Sequence, residues 1–160
     1  LARCRGFFPA QDSAPTVASE LEALLYRSRI VNRIGPLHML LLVERARHAN
    51  QVHGLTGQLI YFDHSFMQYI EGPRAAVDAL WRQLQRDPRH YDVELLARYP
   101  LSRRRYPGTP LLFSGNAYFR DYQLTGFAPV GPDDMDALHR HCLDWQSAET
   151  AAEPGAMPRS

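Results

Sequence analysis

Residues 55–71 carry the pattern that most restricts the fold. Two β-rich runs, Leu55 to Phe62 and Ser65 to Glu71, are separated only by Asp63-His64, and a two-residue polar connection between such runs predicts an antiparallel hairpin with a tight turn. On the second run the period of two puts Phe66, Gln68 and Ile70 on one face and Met67, Tyr69 and Glu71 on the other. Gln68 therefore sits among apolar neighbours. An amide left there without partners would cost about 1–3 kcal/mol, so Gln68 needs polar company on that face.

The segments around the hairpin complete a sheet. Leu21 to Tyr26 is short and apolar and leads into Arg27-Ser28-Arg29, which suits a buried central strand ending at Tyr26. After Gly35-Pro36, Met39, Leu42, Val43 and Ala46 recur at helical spacing, and the pattern fades between Asn50 and Gly54. Gly72-Pro73 opens a second helix with a stripe of Val77, Leu80, Trp81 and Leu84, and Pro88 closes it. Val93 to Leu96 and Leu111 to Phe113 supply two further strands around the Arg-rich connection Arg103 to Arg105. The order βαββαββ predicts an α+β, ferredoxin-like sheet with two helices on one face, spanning residues 20–115. Within an extension over 116–147, Pro132 to Trp145 has an acidic start and apolar Met135, Leu138 and Leu143, which predicts an extra C-terminal helix without showing where it docks. Residues 1–19 have the composition of a flexible arm, and 148–160, rich in Ala, Pro and Glu, that of a frayed tail.

Composition narrows the function. Eighteen basic residues against 17 acidic ones give a formal charge of +1, which offers no field for nucleic acid or an anionic membrane. Every basic residue is Arg, which removes lysine-based Schiff-base and phosphate-loop chemistry. Cys4 and Cys142 lie far apart with no metal-ligand spacing, so neither a disulfide framework nor a metal site is expected. The longest apolar run, Met39 to Val43, is too short for a membrane span, and residues 1–10 lack a signal-peptide core. A cytoplasmic, unexported protein is expected.

Three polar residues stand where a purely structural sequence would prefer others: Tyr26, Asn50 and Gln68. Singly, Tyr26 reads as packing with its hydroxyl at the rim, and Asn50 as a helix C-cap. Together with their surroundings they form a longer pattern. Tyr26-Arg27-Ser28, Asn50 followed by Leu55-Thr56-Gly57, Leu59-Ile60-Tyr61, Phe66 to Gly72, and Arg86-Asp87-Pro88-Arg89-His90 closely resemble the BLUF family, over about Glu20 to Phe113. The resemblance implies a flavin, usually FAD and alternatively FMN or riboflavin, held without a covalent bond between the two helices. It implies that Tyr26 is the photochemical donor, Gln68 the switching amide, and Asn50 the residue holding the pyrimidine edge of the ring. An excited flavin is a strong one-electron oxidant and a phenol can give up an electron and then a proton, while an amide has a donor end and an acceptor end to exchange. A stronger donor at the flavin O4 would redden the absorption.

The same resemblance places Ser28 in the cofactor site, Asp87, Arg89 and His90 beside the ribityl and phosphate part, and Leu42, Leu59, Phe66 and Leu84 around the ring. It implies a photosensor rather than an enzyme, signalling through an unidentified protein partner and self-association into a homo-oligomer. One departure stands out: where the family commonly has Trp-x-Met entering the last strand, this chain has Thr109-Pro110-Leu111. Two other classes share the scaffold. An RRM-like nucleic-acid-binding module would expose Tyr61 and Tyr69 on the sheet, but the chain lacks a basic-aromatic RNP segment. A flavoenzyme or acylphosphatase-like hydrolase would need a nucleophile with its base, a metal set or a nicotinamide fingerprint, and the sequence shows none.

Overall fold

The hairpin forms. In the computed structural model, which describes residues 20–115, 128–129 and 132–152, Thr56–Phe62 and Ser65–Pro73 pair antiparallel from Thr56 opposite Glu71 to Phe62 opposite Ser65. Asp63 and His64 take φ of 46° and 63°, the left-handed conformation that a two-residue turn needs at both central positions. Gly57 is required by close approach, since a Cβ there would stand 2.0 Å from the Tyr69 carbonyl oxygen.

In chain order the elements are β1 (Leu21–Ile30), α1 (Pro36–His53), β2 (Thr56–Phe62), β3 (Ser65–Pro73), α2 (Arg74–Arg86), β4 (His90–Leu101), β5 (Leu112–Gly115), β6 (Ala128–Pro129) and α3 (Pro132–Ala152). The sheet runs β4-β1-β3-β2-β5-β6. Strands β1 to β4 pair antiparallel, whereas β5 lies parallel to β2 and β6 parallel to β5. This is the expected ferredoxin-like order, with the sheet continued past residue 115 by the two-residue β6.

Several boundaries move outward. β1 runs past Tyr26 to Ile30 because its alternation persists: Arg27 and Arg29 are exposed while Ser28 and Ile30 are buried. β4 covers twelve residues rather than Val93 to Leu96. α3 continues to Ala152, so residues 148–152 belong to the helix and not to a frayed tail. The arm at 1–19, with Cys4, and the end of the tail lie outside the described residues.

The two sheet faces are covered differently. α1 and α2 lie on the face of Tyr26, Phe66, Gln68 and Ile70, α1 through Met39 and Val43 and α2 through Val77. Each of these buried aliphatic side chains contributes roughly 1.5–3 kcal/mol. α3 covers the other face, with Leu138 and Cys142 packed on Ala23, Leu25, Met67, Tyr69 and Tyr99. Trp145 meets the rings of Tyr69 and Tyr106 edge-on, and Glu149 accepts from the Ser102 N–H at 2.9 Å and from Arg105 at 3.2 Å.

Beneath that contact lies the fully buried carboxylate of Glu71. It accepts from the Tyr69 hydroxyl, the Thr56 hydroxyl, and the backbone N–H groups of Arg105 and Tyr106 at 2.7–3.1 Å. Those four bonds satisfy the buried charge and fix the loop after β4. No helix of the described residues is long and apolar enough to cross a membrane.

Candidate functional site

The core on the α1/α2 face is split into two clusters. Under α1 lie Met39, Val43, Leu59, Phe66, Leu111 and Phe113, with Leu42 packed at the margin. Under α2 lie Leu24, Tyr26, Ile70 and Val77, with Trp81 and Leu84 at the margin. Gln68 stands at the seam, between Phe66 of one cluster and Ile70 of the other along β3. Its direct register partners are Tyr26 on β1 and Leu59 on β2.

This register joins two residues 42 positions apart. The Tyr26 hydroxyl donates to Gln68 Oε1 at 2.6 Å, and both residues are buried. Burial, and after it the charge of Asp87, pushes the Tyr26 pKa well above the ordinary phenol value, so the phenol is a protonated donor at every physiological pH. Trp81 packs against its ring at 6.0 Å between centroids. With Oε1 engaged, the Gln68 amide NH2 has no protein partner among the described residues.

Asn50 is both the cap and more than the cap. Its carbonyl accepts the Leu55 N–H at 2.8 Å where α1 ends at Gly54, whose φ of 67° is left-handed. Its side chain is buried and donates from Nδ2 to the Pro110 carbonyl at 2.8 Å, leaving Oδ1 without a protein partner among the described residues. The departure segment is tied down around it. Thr109 O accepts the Gly57 N–H at 3.1 Å, Leu111 O accepts from Arg47 at 3.3 Å, and the Leu111 side chain is buried in the α1 cluster.

Ser28 and His90 form the next polar pair, with Oγ and Nδ1 2.9 Å apart. The imidazole lies against the Phe66 ring at 5.7 Å. Burial lowers its pKa from the ordinary histidine value, with the Asp87 charge opposing that fall, so His90 is neutral at pH 7. Asp87 is clasped by Arg89, whose Nε and Nη2 donate at 2.9 and 2.6 Å while its backbone N–H donates at 3.0 Å. These bonds hold the carboxyl down to about 2. Asp87 Oδ2 also lies 4.0 Å from His90 Nε2.

Leu42, Leu59 and Phe66 thus stand on one side of the seam and Leu84 on the other, with Tyr26, Gln68, Ser28 and His90 on the same sheet face and Asn50 at the end of α1. Apolar walls from two clusters, a free amide donor and a free amide acceptor suit a flat heterocycle with one polar edge, and the residues present fit a flavin. The sheet aromatics do not suit stacked bases, because Tyr61 and Tyr69 are buried. The contacts that the sequence does not reveal are the partner of Asn50 at Pro110 and the carboxylate hub of Glu71; both involve backbone groups, the Pro110 carbonyl in one and the Arg105 and Tyr106 N–H groups in the other.

Comparison with known proteins agrees with this geometry. The family model for BLUF, sensors of blue-light using FAD, matches residues 21–111. The photoactivated adenylate cyclase subunit beta of Euglena longa is 30% identical over 132 residues, 82% of this chain and 14% of that protein. The dark-state structure of BlrB, a BLUF protein, is 32% identical with a TM-score of 0.59, covering 79% of this chain and 97% of the other. Klebsiella pneumoniae BlrP1, solved with FMN and cyclic diGMP, is 36% identical with a TM-score of 0.54, covering 58% of this chain and 25% of that one. The chain thus spans only 14% of the length of the Euglena longa relative.

Proposed function

This chain belongs to the BLUF family of blue-light sensors using FAD, and we propose that it turns absorbed light into a rearranged hydrogen-bond set centred on Tyr26 and Gln68. The observation that carries this reading is the 2.6 Å bond from the Tyr26 hydroxyl to Gln68 Oε1, made at a seam where the amide's other end has no partner among the described residues. The bound flavin supplies blue-light absorption and, once excited, a strong one-electron oxidant.

The chain's own groups do the rest. Tyr26 gives up an electron from its ring and passes the Oη proton along its hydrogen bond toward Gln68 Oε1. Rotation or tautomerisation of the Gln68 amide would then exchange donor and acceptor ends; return of both the electron and the proton to Tyr26 would rebuild the neutral phenol, and reversal of the amide would restore the dark hydrogen bonds. Asn50 holds the pyrimidine edge through Oδ1, Ser28 orients His90, and Leu42, Leu59, Phe66 and Leu84 keep water from the ring. FAD is the family's cofactor, with Asp87, Arg89 and His90 toward its ribityl and phosphate part; FMN and riboflavin carry the same ring and are the alternatives.

The chain acts as a sensor and not as a catalyst, and its output passes through contacts with a protein partner or a second copy. The Asn50 to Pro110 bond supports one route, because it ties the residue holding the ring to the segment that enters β5. The purified protein is expected to be yellow and to release intact flavin on denaturation. A colourless protein that takes up no added FAD contradicts the reading.

A further inference from the structure

The C-terminal half of α1 grips the segment that enters β5. Thr109, Pro110 and Leu111 present successive backbone carbonyls, and each is taken by a donor from α1 or from the start of β2: the Gly57 N–H at 3.1 Å, Asn50 Nδ2 at 2.8 Å, and Arg47 Nε and Nη2, both at 3.3 Å. A regular strand offers only alternate carbonyls to one side, so this run is held more closely than a ladder would hold it. Arg47 and Asn50 stand three apart on α1 and share one face. Pro110 has no N–H, which leaves its carbonyl as its one backbone hydrogen-bonding group. Arg47 is itself fixed, because Nη1 donates to Glu44 one turn earlier and the side chain is largely buried. A planar guanidinium forked onto one carbonyl is a pre-organised clamp.

The clamp bears on the site through Asn50. Its amide is a single plane with Nδ2 bound to Pro110, so the place of the Pro110 carbonyl decides which way Oδ1 points. That carbonyl lies between two others, and Arg47 holds the one on the β5 side. We propose that Arg47 is a positioning residue of the light sensor: by clamping Leu111 it fixes the Pro110 carbonyl, and through it the Asn50 acceptor that takes the pyrimidine edge of the ring. The inference rests on the flavin-binding reading above. Arg47 itself acts only through the segment and Asn50.

The test is a double-mutant cycle on the binding of riboflavin, which has the ring and no phosphate, to flavin-stripped protein. Arg47→Gln and Asn50→Ala are each expected to weaken binding about tenfold, equal to ~1.4 kcal/mol. The double variant should bind no more weakly than Asn50→Ala alone, because one residue acts through the other. Arg47→Lys keeps the charge and a donor without the fork, and should show a smaller loss with the same non-additivity, so the cycle stands even where Arg47→Gln folds poorly. In the flavin-free protein, Arg47→Gln should shift or broaden the Asn50 side-chain amide resonance and speed hydrogen exchange at the Gly57 N–H, while exchange across β1 stays at the parental rate. Losses that add in the double variant, or an affinity unchanged by Arg47→Gln, overturn the proposal and leave flavin binding intact. An Asn50 resonance unmoved by Arg47→Gln also overturns it. A parent protein that binds no flavin defeats the flavin reading itself, and this proposal with it.

Discussion

Replacing Gln68 with leucine is expected to abolish the light-induced red shift of the bound flavin while leaving the protein yellow. Leucine fills much the same space between Phe66 and Ile70, so the apolar walls survive and the ring keeps its seat. What disappears is the amide that accepts from the Tyr26 hydroxyl and carries both a donor and an acceptor to exchange. The variant also leaves the buried Tyr26 hydroxyl without its acceptor, a loss of about 1–3 kcal/mol that thermal melting will register. The loss of stability and the loss of the shift are separable, because a folded, yellow, unresponsive protein shows both. A normal photocycle in this variant means that Gln68 is not the switch.

Tyr26→Phe should silence the same response from the other end of the hydrogen bond. The ring stays packed on Trp81, and the substitution removes a single oxygen. Burial keeps the phenol protonated in the parent protein, so the variant loses an O–H donor and not a charge, and its behaviour should be the same across neutral pH. Without that easily oxidised donor the flavin is quenched less, and its fluorescence should last longer while the red shift is absent. A variant with parental lifetime and parental shift removes Tyr26 from the mechanism.

Much of this was legible in the sequence because its signals are local. The Asp63-His64 turn, the helical stripes, the glycine and proline boundaries and the alternation on β3 each depend on neighbours a few residues away, and each element formed. The ends of β1 and β4 were harder to read. Among the described residues β4 has one strand neighbour, and its Arg98 is held by Glu22 and Asp78 from two other elements, so its burial shows no clean period of two.

The site divides in the same way. The identities of Tyr26, Asn50 and Gln68 came from the family pattern, but their meeting depends on a β1/β3 register that no local signal sets. The docking of α3 through Trp145 and Glu149 was invisible because its partners lie on the far sheet face and in the loop after β4.

The central claim is that a flavin at this seam reports light through hydrogen bonds alone, and the light-minus-dark absorption spectrum of the purified protein tests it most directly. The account predicts a red-shifted flavin band after blue illumination, with no bleaching, that returns fully to the dark spectrum when the light is off. An unchanged spectrum, or a flavin band that bleaches and does not recover, contradicts it.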